Sequence, residues 1–432
     1  MALTRRTALG IGAGAALTAT GCSKTTTTTA PAASDTGPVT LRLAWWGNET
    51  RNKNTNAMVE AFMKANPGIT VKTEPGEWAS YWDKLATQIA GNDAPDVFQM
   101  SINYVREYAG RNALIDLRAA GVPVDRFSPG SLDPGIVKDK LVAVNAGINA
   151  QIIIANPQVF QKAGVPMPDD KTWTWETYRD VAAAVTKSSP AGTYGSNTFW
   201  SSVDTMFNAW LRQRGKAYYT DTGLGFDSTD VVPWFEMMQS YIKAGAIPTP
   251  QISSEESTKP LEQQLLATGR AAMGLYNSNQ VVALDAYTKQ DCKILRGPSL
   301  RGPVNDKQAW VSAAMLWSIS SKSKHQAAAA KLVSFLVNDL EANKIQLAER
   351  GLPPNSDVLA GVQDKLNPSD RKASAFLTSI QGELGKAPQI PLVGAATFPN
   401  VLGRYCDDVA FGRQQPAGAA DKMIAEMKGM LK

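Results

Sequence analysis

Residues 69–100 read ITVKTEPGEWASYWDKLATQIAGNDAPDVFQM, and this stretch decides the fold. It opens with a strand-like run over 69–74. The segment 78–89 follows, in which large apolar residues recur at the three- and four-residue spacing of a helix. A second strand is predicted over 96–100, directly after an Ala-Pro pair. Strand, helix and strand in this order predict two parallel strands covered by a helix.

The same alternation extends on both sides of this stretch. Upstream, TLRLAWW (40–46) predicts a strand, and 50–65 predicts a helix that ends at Asn-Pro-Gly. Downstream, a long extended run covers 141–156. The 432 residues exceed the usual size of a single core, so two lobes are expected. Further predicted elements are helices at 175–187, 203–213, 230–243 and 258–268, strands at 271–276 and 310–320, and a mostly helical C-terminal part.

Composition narrows the range of functions. Hydrophobic residues make up 44% and charged residues 19% of the chain, as in globular proteins with a large core. The net charge of +5 is small, and no basic stripe is interleaved with aromatic residues, which argues against nucleic-acid binding. The 11 tryptophans equal the 11 tyrosines in number. Tryptophan in this excess fills cores, and in exported proteins it also stacks on the apolar faces of sugar rings.

The first 22 residues, MALTRRTALGIGAGAALTATGC, are expected to be an export signal rather than structure. The paired arginines before a mild apolar run resemble a twin-arginine signal, although Ala stands where Phe is preferred, so the Sec pathway stays open. The ending Thr-Gly-Cys resembles a lipobox, which would leave Cys22 acylated, although Ala replaces the usual Leu. Residues 23–38 are predicted to be a flexible tether.

Two cysteines remain once Cys22 is assigned to a lipid. In an oxidising compartment Cys292 and Cys406 would either form a disulfide, worth about 3–5 kcal/mol by loop entropy, or stay as two buried thiols. The sequence does not choose between the two states, because it gives no distance between these residues.

Ordered segments carry a resemblance to a known family. They are LRLAWWG, AMVEAFMKANPGITVK, EWASYWDKLATQIAGNDAPDVFQM, YAGRNALIDL, IIIANPQVFQKAGV, TGRAAMGLYNSN and GLPPN. Their order resembles the extracellular solute-binding proteins of sugar ABC importers, the maltose-binding-protein-like family 1, along nearly the whole mature chain. The resemblance implies an α/β fold of the periplasmic-binding-protein-like type II, in which a hinge joins two α/β lobes with a ligand cleft between them.

The resemblance also implies partners. A carbohydrate, expected to be an oligosaccharide, would be captured by hinge closure and delivered to ABC permease subunits driven by a separate ATPase. The sequence itself has no GxxxxGK[ST] phosphate loop. The implied protein is a monomer, held on the outer face of the cytoplasmic membrane by its lipid alone, with no cofactor and no metal. The N-terminal lobe is expected to comprise 39–149 plus 315–358, and the C-terminal lobe 150–314 plus 359–432.

Ligands of open α/β sheets bind beyond the carboxyl ends of the strands. The resemblance assigns ligand contacts to those loops, to the crossover between lobes and to the second lobe. Asn279 and Pro399 stand where maltose-binding relatives have stacking aromatics, which puts maltose itself in doubt. The candidate ligand-binding residues are Trp46, Asn48, Glu49, Arg51, Glu77, Trp78, Tyr81, Met100, Ser101, Asn103, Asn149, Trp200, Tyr276, Asn277, Ser278, Asn279, Trp310 and Phe398.

The tryptophans divide between cleft and core. Trp45 and Trp46 point to opposite faces of one strand, so Trp45 is expected in the sheet core and Trp46, nearer the strand end, in the cleft. Trp78 begins a helix and is a ligand candidate, whereas Trp82 belongs to the apolar stripe of that helix and is expected in the core.

An acidic sugar is a minor alternative for the ligand, because the guanidinium of an arginine can bind a carboxylate through two hydrogen bonds. Arg51 is the arginine that falls in a predicted cleft loop, where it would serve neutral sugar hydroxyls equally well. Arg106 is expected on a solvated helix face.

Enzymatic chemistry finds little support in the sequence. The single histidine, His325, belongs to no recognisable triad, and GxSxG, HExxH and CxxC motifs are absent. A secreted glycoside hydrolase would need only two carboxylates, for which Glu49 and Glu77 are candidates. Sugar clefts also use carboxylates simply as hydroxyl acceptors, so the chain is expected not to be an enzyme. A surface lipoprotein that senses or presents sugar is the other alternative.

Overall fold

The computed structural model describes residues 37–47, 49–197 and 204–431. The first half of the chain alternates strands and helices as far as residue 110 and then forms short strands. These elements are β1 (Val39–Trp46), α1 (Glu49–Ala65), β2 (Ile69–Gly76), α2 (Trp78–Ala90), β3 (Val97–Met100), α3 (Ile102–Gly110), β4 (Ile136–Val137), β5 (Lys140–Leu141), β6 (Val144–Asn149) and β7 (Gln151–Ala155).

Helices dominate the remainder. The elements are α4 (Pro157–Ala163), α5 (Trp175–Lys187), β8 (Tyr194–Ser196), α6 (Asp204–Gln213), α7 (Ser228–Lys243), α8 (Pro250–Thr258), β9 (Ala271–Asn277), α9 (Val281–Thr288), β10 (Lys293–Leu295), β11 (Ser312–Ile319), α10 (Gln326–Asn338), α11 (Leu340–Gln346), α12 (Ser356–Val362), α13 (Pro368–Ser379), α14 (Phe398–Ala410) and α15 (Pro416–Met430).

The first sheet has five strands in the order β2-β1-β3-β11-β6. β1 runs parallel to both β2 and β3, so the parallel arrangement predicted from 40–100 is confirmed. β11 enters from far along the chain and pairs antiparallel with β3 and β6. Each residue of β3 is buried, as expected for a central strand with helices on both faces of its sheet.

The second sheet has four strands in the order β10-β7-β9-β8. A single residue, Ala150, separates β6 of the first sheet from β7 of the second, so the chain crosses directly from one lobe into the other. Each lobe has its own hydrophobic core, with Trp45 and Trp317 in the first and Trp175 and Trp234 in the second. The predicted α/β architecture of two lobes is confirmed.

One predicted helix is wrong. The segment 258–268 was expected to be helical, but α8 ends at Thr258 and only a short 3-10 turn follows at Leu261–Gln263. Pro260 explains the difference, because a proline disfavours helical geometry in the residue before it, and Lys259 is extended with ψ of 143°. The other predicted elements are found with bounds shifted by a few residues.

The junction between the lobes includes a further strand-like contact. The backbone of Leu352 exchanges two hydrogen bonds with Ile148 of β6, at 2.8 and 3.0 Å. Gly147 is required beside it, since a Cβ there would lie 2.1 Å from the carbonyl oxygen of Arg350. The Arg350 side chain is fully buried and donates to Gln99 Oε1 at 3.0 Å and Thr55 Oγ1 at 2.9 Å. Burial lowers its pKa to about 9.

The two cysteines left open by the sequence are free thiols, both buried. Cys292 lies in the core at the lobe junction and Cys406 in the core of the second lobe, and burial raises the pKa of both. Within the described residues, no helix is long and apolar enough to cross a membrane.

Candidate functional site

Four aromatic side chains meet where β1 and β2 end. The Trp46 ring lies 5.1 Å from Trp78, 5.2 Å from Tyr81 and 5.3 Å from Trp82, centroid to centroid. Most of these contacts are edge-to-face or tilted, the arrangement that aromatic pairs prefer. We call Trp46, Trp78, Tyr81 and Trp82 the aromatic wall. It stands at the carboxyl ends of parallel strands, where ligands of α/β sheets bind.

The aromatic wall is held from behind. The Tyr81 hydroxyl donates to the carbonyl oxygen of Gln99 at 2.7 Å, and the Gln99 amide donates to the carbonyl oxygen of Trp46 at 3.1 Å. Trp82 stacks on Tyr104 of α3 with a centroid distance of 4.0 Å. Its members are therefore fixed relative to one another before any ligand arrives.

Exposure separates the members of the aromatic wall. Trp78 is 45% exposed, Trp46 is 8% exposed, and Tyr81 and Trp82 are buried. Trp45 is fully buried in the sheet core, as predicted, and its indole N–H donates to Asn52 Oδ1 at 2.8 Å. Trp78 therefore presents the ring face available to a ligand, with Trp46 behind it.

Several candidates near the aromatic wall are occupied by structural contacts. Met100 is fully buried in the first core, and Tyr81 reaches only backbone carbonyls, so the expectation that they touch a ligand is not met by the placement of their side chains. Ser101 caps α3 by accepting from the backbone N–H of Asn103. Arg51 donates from Nε to both carboxylate oxygens of Glu349, at 2.9 and 3.1 Å, rather than extending into open space.

Glu49 and Glu77 lie at the first turn of α1 and the start of α2, and both side chains are exposed. Among the candidates, Asn48 and Trp200 lie outside the described residues, as does the expected lipidation site Cys22. Their proposed roles stay predictions.

A second group of candidates meets at the lobe junction. The Asn149 side-chain oxygen accepts from the Ser278 hydroxyl and from the backbone N–H of Asn279, both at 3.2 Å. Asn277 Oδ1 accepts from the Gln151 amide at 2.9 Å. The bonds to Asn149 join β6 of the first sheet to the turn after β9, whereas Asn277 and Gln151 pair within the second sheet. In this structure these polar groups therefore bond to one another rather than to a ligand.

Two aromatic candidates lie inside the second lobe. Phe398 is fully buried in the core of that lobe, because it begins α14 on the helix's apolar face, and it does not line the cleft as expected. It packs against Tyr219 with a centroid distance of 6.1 Å. Tyr276 is also buried, and its hydroxyl accepts from the Asn197 amide at 3.2 Å.

The remaining two candidates, Asn103 and Trp310, line one cavity between the lobes. The cavity encloses about 590 Å³, counting its open mouth. The first lobe contributes Asn103 from α3, and the second contributes Asp204 and Asn208 from α6 and Tyr219 from the loop that follows. We call this space the interlobe cavity. The guanidinium of Arg212 lies 5.1 Å from the centre of the Trp310 ring.

Sequence reasoning missed three residues of the interlobe cavity and misplaced a neighbouring one. Asp204, Asn208 and Tyr219 belong to no motif, and the only signal is that Asp204 and Asn208 share one face of a helix. Arg106 was expected on a solvated helix face. It is instead half-buried, burial lowers its pKa, and Asp221 and Tyr219 of the other lobe lie within its electrostatic reach.

Comparison with known proteins identifies this architecture. The family model for bacterial extracellular solute-binding proteins matches residues 57–370, which is more than half of the chain. The chain belongs to this family. This solute-binding protein is similar in structure to an extracellular solute-binding protein family 1 from Alicyclobacillus acidocaldarius. The two sequences are 25% identical, the TM-score is 0.72, and the match covers 91% of this chain and 99% of that one.

Two further proteins are similar to this chain, one in its fold and the other over part of its sequence. The ABC substrate-binding protein Lmo0181 from Listeria monocytogenes, solved in complex with cycloalternan, has a TM-score of 0.75 at 21% identity and covers 91% of this solute-binding protein and 98% of that chain. An uncharacterized lipoprotein in the oleD 5′ region of Streptomyces antibioticus is 27% identical over 167 residues, which is 36% of each chain.

No group of histidine, cysteine or carboxylate residues in the described part of the solute-binding protein is arranged to hold a metal ion. The arrangement combines an exposed indole face on one lobe with polar side chains on the other. Such a site can bind a molecule that has both apolar faces and hydrogen-bonding edges.

Proposed function

We propose that this solute-binding protein captures a carbohydrate, an oligosaccharide in particular, between its lobes and delivers it to an ABC permease. The half-exposed indole of Trp78, held edge-on against Trp46 at the ends of two parallel strands, carries this proposal. A tryptophan of this size is normally buried unless it has a partner. The apolar C–H face of a pyranose is a partner of matching shape, and its hydroxyls remain free to bond elsewhere.

The interlobe cavity supports the same proposal. Asn208 Oδ1 and the Tyr219 hydroxyl are buried and have no hydrogen-bond partner within the described residues. Buried polar atoms without partners cost free energy, and a ligand hydroxyl would supply the missing bond. Asn103 reaches the cavity from the opposite lobe, so a ligand there would contact both lobes.

Hinge closure follows from such a two-sided contact. A ligand that bridges the lobes binds the closed form more tightly than the open form and shifts the equilibrium toward it. We propose that the closed form docks on permease subunits driven by a separate ATPase. We also propose that the chain is exported and anchored through Cys22, an assignment supported by the sequence of the leader and by similarity to a lipoprotein.

Two alternatives use the same cleft. A glycoside hydrolase would need two carboxylates facing one bond, and the candidates are the exposed Glu49, in the first turn of α1, and the exposed Glu77, directly before α2. A sensor that presents bound sugar would differ only in its partner.

The test is ligand binding followed by recovery of the ligand. Purified protein is titrated with a panel of neutral, acidic and amino oligosaccharides while thermal unfolding is monitored, because a ligand that binds only the folded state raises Tm. We expect at least one saccharide to raise Tm and to be recovered intact. A cleaved product would favour the hydrolase, and an absence of any shift across the panel would overturn the carbohydrate assignment.

A matched variant pair locates the site. Trp78 and Tyr287 have nearly equal exposed fractions, 45% and 46%, but Tyr287 lies on α9 of the second lobe. Trp78→Ala should weaken saccharide binding, whereas Tyr287→Ala should leave it unchanged. Equal effects would show that binding does not occur at the aromatic wall.

A further inference from the structure

Among the described residues, two polar groups of the interlobe cavity lack a partner, and both can accept a hydrogen bond. Asn208 is 8% exposed and its Oδ1 has no donor; Tyr219 is 5% exposed and its hydroxyl is unpaired, in both cases among the described residues. Asp204 lies one helical turn before Asn208, so both side chains occupy one face of α6. This face therefore offers a carboxylate and an amide oxygen side by side.

The Asp204 carboxylate has no counter-ion among the described residues. Within the described chain, no lysine or arginine forms an ion pair with it, and its own backbone N–H donates a hydrogen bond to it. Desolvation by the surrounding protein raises its pKa to about 6. An acidic group in such a position is destabilised when ionised, unless a ligand brings positive charge to it.

The charged and titratable neighbours do not supply that charge. Tyr218 and Tyr219 lie next to Asp204, and their own raised pKa values keep both phenols neutral. Arg106 interacts electrostatically with Asp221 and Tyr219, and Arg212 lies against the ring of Trp310. Two aromatic rings, Tyr219 and Trp310, also line the cavity, and aromatic faces attract cations.

We propose that the interlobe cavity binds a protonated amino group of the ligand, so that the solute-binding protein prefers amino sugars over neutral sugars. This inference rests on the proposed carbohydrate function. The ammonium would donate to the Asp204 carboxylate, to Asn208 Oδ1 and to the Tyr219 hydroxyl oxygen, which together match the three donors of an ammonium. A carboxylate on the sugar would instead be repelled by Asp204.

The experiment compares sugars of one shape that differ in charge. The full chain is titrated calorimetrically at pH 7 with the β-1,4-linked trimers of glucosamine, N-acetylglucosamine and glucose. Free glucosamine and free glucose are titrated as well, so that a preference for the amine can be measured without any glycosidic linkage. We expect glucosamine compounds to bind about tenfold more tightly than their neutral counterparts. The N-acetylated trimer, which carries no charge, should behave as the neutral one.

Variants and pH identify the residue responsible. Asp204→Asn should remove the preference for the amine, so that the glucosamine and glucose trimers bind with equal affinity, because Asn keeps the shape but not the charge. Asp364→Asn, at an exposed carboxylate on the surface, is the control and should change neither affinity. Lowering the pH from 7 to 5 should weaken glucosamine binding about tenfold, since Asp204 is then mostly protonated, and should spare glucose binding.

The outcomes separate the two proposals. If neutral and amino sugars bind equally and Asp204→Asn changes nothing, the amino-sugar inference is overturned while the carbohydrate function stands. Tighter binding of the neutral trimer would also overturn the amino-sugar inference and leave the carbohydrate function standing. If no saccharide binds at all, the carbohydrate function fails and this inference falls with it. Thermal unfolding of each variant without ligand shows whether a loss of binding reflects a loss of folding.

Discussion

The aromatic wall and the interlobe cavity are built in opposite ways. The members of the wall satisfy one another: its rings contact edge to face, and hydrogen bonds from Tyr81 and Gln99 fix it from behind. In the interlobe cavity, by contrast, Asn208 and Tyr219 bury polar atoms that have no hydrogen-bond partner among the described residues. The wall contributes to the stability of the fold and offers a surface, whereas the cavity lowers stability and holds back hydrogen bonds for a ligand.

The largest expected effect breaks the aromatic wall from within. Trp46 is buried against three aromatic rings, so Trp46→Ala leaves a cavity and should lower the free energy of unfolding by about 3–5 kcal/mol. Urea denaturation measures the change, with wild-type protein as reference. A loss below about 1 kcal/mol would show that the wall is not part of the folded core.

The next effect separates the role of Trp78 in ligand binding from the role of Trp46 in stability. Trp78→Ala removes an exposed ring, so saccharide affinity should fall by about tenfold or more while the free energy of unfolding changes by less than about 1 kcal/mol. Calorimetric titration and urea denaturation of one preparation give both values. A variant that loses stability but keeps its affinity would reverse the roles assigned to Trp46 and Trp78.

Removing the carboxylate of Asp204 in the interlobe cavity should raise stability, whereas substitution of Trp46 in the aromatic wall lowers it. The pKa of Asp204 is about 6 in the folded protein and near 4 when unfolded, so the folded state is destabilised as the pH rises from 4 to 6. Asp204→Asn should therefore raise the free energy of unfolding by about 1–2 kcal/mol at pH 7.5, and this gain should disappear at pH 4. Urea denaturation across this pH range tests the sign. A stability loss at pH 7.5 would mean that the carboxylate is already paired.

The smallest expected effect concerns one hydroxyl. Tyr219→Phe removes a buried polar atom that has no partner in the described part of the chain, so it should leave the free energy of unfolding unchanged or raise it by up to about 1 kcal/mol. The same change should weaken saccharide binding severalfold, as measured by calorimetry. If binding is unaffected, the Tyr219 hydroxyl does not meet the ligand.

The contrast also explains what the sequence could predict. The first sheet and the aromatic wall follow from periodicity within 40–100, because strand ends and helix starts lie close in the chain and place Trp46 and Trp78 together. The interlobe cavity joins Asn103, Asp204 and Trp310, which are separated by about a hundred residues each, and no local pattern records such a meeting. Phe398 was misplaced for a related reason: the apolar face of α14 points into a core whose position depends on the packing of α7 and α15.

The Gln99 side chain connects the aromatic wall to the junction between the lobes. Its amide donates to the Trp46 carbonyl, and its amide oxygen accepts from Arg350, which lies two residues before Leu352, the residue that pairs with β6 at the junction. The aromatic wall therefore cannot be transplanted or redesigned without the junction beneath it. Asp204 and Asn208, on one face of α6, have no hydrogen bond to the junction among the described residues, so their side chains can be exchanged without breaking it. Substitutions on that face of α6 would therefore change ligand specificity, in the laboratory or in evolution, with less structural disturbance than substitutions in the aromatic wall.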